Sequence, residues 1–251
     1  MPILPAVLLV IALAALAWTT WRDVGEYAAF KKLTDTKDRQ ARYRRWVVSS
    51  FVLFVVGSLA ILAILGDLGC VIHQPRPFFG AFRWARATIP LPSLGPEFLG
   101  GLVAGLVTVV VFGTLVSIRA VRRSGGPPKT VMLGDVAPLM PRNWPETAWT
   151  ALLSINAGIG EELFFRLTLP VLIVLVIGHA PAAFIAAAVI FGLAHVYQGW
   201  VGVLATMVFG FVFTGLYLWV GNIWVPMALH AAIDLTSLVI RPTLTRLARR
   251  P

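Results

Sequence analysis

The chain reads as an all-α protein, a polytopic bundle of transmembrane helices, and three observations carry that reading. Of its 251 residues, 58% are hydrophobic and only 13% are charged, where a soluble domain carries roughly a quarter charged residues. The apolar residues fall in long runs, and about 20 in succession cross a bilayer core as a helix. The net charge is +10, with the basic residues gathered between the runs, where they serve as topology signals and headgroup contacts. That placement argues against nucleic acid as a partner and for the lipid bilayer. The single Cys70 excludes an internal disulfide and any cysteine-based metal cluster.

In chain order, the first run is Ile3 to Thr19. It lacks a basic n-region, which favours a retained span over a cleaved signal peptide. "KKLTDTKDRQARYRRW" follows as a dense basic loop, and the second run is Trp46 to Leu65. The Pro- and Gly-rich stretch "DLGCVIHQPRPFFGAFRWARATIPLPSLGPEF" reads as an interfacial loop, and the third run is Leu99 to Ile118. Gly125, Gly126, Pro127 and Pro128 then break any helix, and Pro145 stands near the start of the next one. This divides the chain into an N-terminal region of about three spans (1–143), a core of about four helices (144–241) and a basic tail (242–251). Within the core, the breaks "GHAP", "YQGW" and "GN" predict helices at 147–177, 181–197, 200–220 and 222–240, with Pro170 kinking or splitting the first. Seven spans put the basic loops and the C-terminus together on the cytoplasmic face, with the N-terminus outside. An eighth span would move the tail outside.

From Ala148 to Ile240 the only Asp, Glu, Lys or Arg residues are Glu161, Glu162, Arg166 and Asp234. Charges at this depth are costly, face the bundle interior and mark function. Glu162 and Arg166 stand four apart and can pair. Glu161 is turned about 100° away and lacks that partner, so it is the candidate for chemistry and Glu162–Arg166 for structure. His195 ends "FGLAH" in the next hydrophobic helix, and His230 begins "HAAID" in the last, with Asp234 one turn on. Brought into one cavity, these groups could activate water and stabilise an oxyanion, or hold a divalent metal such as zinc through Glu161, His195, His230 and Asp234. His73 and His179 are expected to be bystanders. Gly192, Gly202, Gly210 and Gly215 are expected to allow close helix contact.

Three motifs in this order resemble the CAAX protease and bacteriocin-processing family, the intramembrane type II CAAX prenyl endopeptidases. They are Glu-Glu-x-x-x-Arg (Glu161, Glu162, Arg166), Phe-x-x-x-His (Phe191, His195) and His-x-x-x-Asn/Asp (His230, Asp234). The likeness spans roughly 145–240; residues 1–143 carry no matching motif. It implies an eight-helix-like fold or a shorter variant, set in a bacterial plasma membrane, with a cavity open to the cytosol and the membrane. The implied activity is hydrolysis of a peptide bond in a protein or peptide in or near the membrane. By the resemblance, Glu161 activates water, His195 positions or deprotonates it, and His230 and residue 234 line the oxyanion side. Arg166 braces the glutamates, and Glu162 and Phe191 complete the motifs. Asp234 takes the acidic option at its position, and an ionised carboxylate cannot donate to an oxyanion. The family's chemistry admits a glutamate or a metallopeptidase scheme; the absence of an HExxH pair favours the former. The competing readings are a non-proteolytic immunity or scaffold protein and a proton-coupled transporter, the latter opposed by the lack of an inverted repeat.

Overall fold

The computed structural model describes residues 3–88 and 134–247, with scattered helical positions from 101 to 119. Most of the predicted third span and half of the linker after it lie outside the described residues. Among the described residues there is no strand. Three helices are long and apolar enough to cross a membrane: Ile3–Phe30, Thr36–Ile64 and Val196–Val220.

Helix α1 (Ile3–Phe30) runs well past the apolar stretch that predicts it. Helix α2 (Thr36–Ile64) corrects the expected basic loop, because only residues 31–35 are non-helical between the two. Asp35 explains the early start. Its carboxylate accepts the N–H groups of Lys37 (2.7 Å) and Asp38 (3.2 Å), satisfying donors that a helix N-terminus leaves free. Part of the expected interfacial loop is also helical, as α3 (Phe79–Thr88).

The core begins with α4 (Trp144–Glu162). Asn143 caps it, accepting the Glu146 N–H at 2.9 Å. A wide π-turn, Leu163–Thr168, joins it to α5 (Leu169–Ile177). The helical backbone therefore runs through Pro170 without a break. The proline's missing N–H and its ring, which would clash one turn back, are absorbed by the wider turn just before it. There the Leu169 amide donates to Phe164 O. Helices α6 (Ala180–Ala194), α7 (Gly199–Val220) and α8 (Trp224–Leu235) follow. His179 proves to be the cap of α6, its Nδ1 accepting the Ala182 N–H at 3.2 Å. The expected tail is largely helix: α8 passes through a π-turn, Thr236–Ile240, into α9 (Arg241–Leu247).

Helix α5 is the axis of the bundle, with Leu169 to Val174 all buried. Helices α1 and α6 pack on it, and Phe54 of α2 meets Phe164 and Phe165 at ring distances of 5.4 and 5.6 Å. Lipid tails are as apolar as these side chains, so tight packing rather than exclusion of water holds the cluster together. Small residues set the closest approaches. A Cβ on Gly158 would lie 2.5 Å from Ala231 N, so α4 and α8 touch backbone to backbone there. Gly192 meets Met207 and Gly210 meets Ala188 in the same way, whereas Gly215, expected to do likewise, faces open space.

Candidate active site

Each glutamate of the adjacent pair meets a different histidine. Glu162 is fully buried. Its Oε1 takes a hydrogen bond from His230 Nδ1 at 2.7 Å, and its Oε2 lies 3.0 Å from Arg166 Nε. The close passage of α8 over Gly158 allows the first contact, since Ala231 at that crossing is the neighbour of His230. The helical i,i+4 spacing allows the second. His230 Nε2 in turn lies 3.8 Å from Asp234 Oδ2.

Glu161 points elsewhere. Its side chain keeps 17% exposure, and its Oε2 stands 3.8 Å from His195 Nε2. No hydrogen bond to Glu161 is found among the described residues. His195 Nδ1 is 2.8 Å from the Phe191 carbonyl oxygen. A carbonyl only accepts, so Nδ1 carries a hydrogen and neutral His195 offers Nε2 as its acceptor, facing Glu161.

Phe191 organises both halves. Its carbonyl sets His195, and its ring lies 4.7 Å from the His195 ring, 6.4 Å from the His230 ring and 4.4 Å from the Arg166 guanidinium carbon. Phe213 covers the guanidinium at 5.6 Å from another side. Arg166 is 1% exposed, yet its Nε, NH1 and NH2 all lack a hydrogen-bond partner among the described residues. Its contact with Glu162 is an ion pair without hydrogen-bond alignment.

All the ionisable groups except Glu162 line one cavity of about 820 Å³. Its walls include the apolar Phe209, Phe213 and Ile233, and Arg142, Arg241 and Arg246 add a basic side. The structure thus brings Glu161, Arg166, Phe191, His195, His230 and Asp234 to one space, with Glu162 paired to His230 and Arg166 behind them. The sequence did not reveal the Glu162–His230 bond, because a register between α4 and α8 cannot be read from either helix alone. Tyr197, which lines the same cavity, was also missed; next to His195, nothing marks it as other than a packing aromatic. Among the described residues no three His, Cys, Asp or Glu side chains group as metal ligands. One nitrogen of each imidazole meets a protein oxygen, an arrangement that metal-bound histidines share.

Residues 143–236 match the family model for Rce1-like type II CAAX prenyl endopeptidases. This segment belongs to that family. No curated protein and no solved structure matches the chain. The Rce1-like segment contains all three motifs, whereas α1, α2 and α3 lie outside it. The Rce1-like segment and the three helices of membrane length together fit an integral membrane protein.

Proposed function

We propose that the chain is an intramembrane endopeptidase that hydrolyses a peptide bond of a membrane-associated protein or peptide with a water activated by Glu161. The observation that carries this reading is the 3.8 Å gap between Glu161 Oε2 and His195 Nε2 at the wall of the large cavity. The gap is too wide for a direct hydrogen bond and suits a bridging water. Such a water donates one hydrogen to the carboxylate and one to Nε2, leaving an oxygen lone pair for the substrate carbonyl. Glu161 takes the proton as the C–O bond forms, and the proton passes to the leaving amine as the C–N bond breaks. The carbonyl oxygen, negative in the tetrahedral intermediate, faces the His230 and Arg166 side. The N–H groups of Arg166 without protein partners are suited to receive it. Asp234, as a carboxylate, orients His230 rather than donating. Glu162 holds His230 and Arg166 in place. The basic loops and tail are assigned to the cytoplasmic face.

The test is Glu161→Gln in the purified, reconstituted protein. Cleavage of a library of quenched-fluorescent membrane peptides should fall by about 10²–10⁴-fold with the melting temperature retained. A cell phenotype that survives this substitution would favour an immunity or scaffold role over proteolysis.

A further inference from the structure

A second cavity meets the first at the catalytic pair, and it is built mainly by the part of the chain outside the Rce1-like segment. It measures about 130 Å³ and lies between α1, α2 and α4. Glu161, His195 and Tyr197 line both cavities. Beyond them the smaller chamber is edged by Thr19, Thr20, Ser49 and Ser50 and reaches Arg22 and Asp23, whose side chains are 29% and 34% exposed. Trp18 and Trp21, next in sequence to Thr19 and Arg22 on α1, are 62% and 71% exposed. Exposed tryptophans of this kind mark the membrane–water boundary.

We propose that this chamber is an aqueous vestibule that feeds water to Glu161 and His195 from the side opposite the substrate, a proposal that rests on the hydrolytic reading above. Its volume holds a handful of waters, too few for a length of peptide. Its lining offers the polar partners that ordered water requires. Thr19 Oγ1 spends its hydrogen on Ala15 O and Leu16 O, which leaves its lone pairs as acceptors. Ser49 Oγ is only weakly engaged, 3.3 Å from Trp46 O and 3.4 Å from Arg22 NH2. Glu161, without a hydrogen bond among the described residues, finds its donors there. The chemistry requires such a route. Each peptide bond broken consumes one water, and a substrate seated in the large apolar-walled cavity displaces water from that side. The N-terminal helices thereby acquire a role in the reaction.

The test uses the full chain in liposomes, with Cys70→Ser to remove the only thiol. Ser49→Cys and Thr20→Cys place a thiol in the chamber. Val52→Cys, 55% exposed on the same helix and absent from the lining, serves as a control toward lipid. A small, charged methanethiosulfonate reagent should modify the two chamber cysteines about tenfold faster than the control, because the reactive thiolate forms only where water reaches. Modification of Ser49→Cys should then lower the turnover number about tenfold at unchanged KM, relative to the same protein before modification. Labelling no faster than at Val52→Cys overturns the proposal, as does full modification with unchanged turnover. A loss of the protease reading registers separately, as undiminished cleavage by Glu161→Gln, and leaves the labelling result intact.

Discussion

Two buried arginine–glutamate pairs, at opposite ends of α4, differ in how completely the protein satisfies them. At the start of α4, Arg39 and Glu146 are both fully buried. Arg39 Nε donates to Glu146 Oε2 at 3.1 Å, and NH2 reaches Tyr43 Oη, Pro138 O and Met140 O. Glu146 also accepts from Thr36 Oγ1 at 2.9 Å and the Arg142 amide at 3.0 Å. At the end of α4, Arg166 has one ion pair, two aromatic faces and no hydrogen bond among the described residues. A buried charge is expensive to leave unpaired. The first pair is satisfied within the protein at every polar atom but Arg39 NH1, and it ties α2 to the segment that walls the cavity. The second is buried beside the cavity with its N–H groups unsatisfied, which suits a partner that arrives with the substrate.

The largest effect is expected from Arg39→Ala, which strands Glu146 and should cost about 3–5 kcal/mol of stability. The double replacement Arg39→Met with Glu146→Met should recover most of that, as apolar substitutes for buried pairs do; thermal unfolding in detergent reads both. At the second pair, Arg166→Lys keeps the charge but loses the planar fork of donors. It should lower cleavage about 10²–10³-fold with little change in unfolding temperature. A loss of stability without a specific loss of turnover would make the two pairs alike. Gly158→Ala should come next. Its methyl cannot fit against Ala231, so it should destabilise by about 1–3 kcal/mol and weaken cleavage by moving His230 from Glu162. The smallest effect is expected far from both pairs. Arg86 donates to Trp219 O at 3.1 Å and Val220 O at 3.4 Å, satisfying the end of α7, and Arg86→Ala should cost about 1 kcal/mol without touching turnover.

The same contrast explains what was legible beforehand. Glu161, Glu162, Arg166, His195, His230 and Asp234 stand out in the sequence because the apolar core around them makes any ionisable residue conspicuous. Arg39 was hidden by the opposite circumstance. In a segment with Arg42, Arg44 and Arg45 nothing separates the one buried arginine from topology signals. Only the fold reveals that it points inward at Glu146. Helix ends moved for local reasons: Asp35 starts α2 early, and the π-turn before Pro170 carries the helix from α4 into α5 without a break. Breaks such as Gly178 and Gly221 were readable because both adopt positive φ, 71° and 72°, where helices end. Which histidine meets which glutamate depends on inter-helix register, and that is fixed by contacts such as Gly158 against Ala231.

The most direct test of the central claim, that Glu161 and His195 act together on one water, is a double-mutant cycle on cleavage with Glu161→Gln and His195→Ala. Groups that work as a unit are strongly non-additive, so the double variant should lose about as much activity as the more damaging single one. Losses that simply multiply would show the two residues acting independently and would contradict the shared-water mechanism.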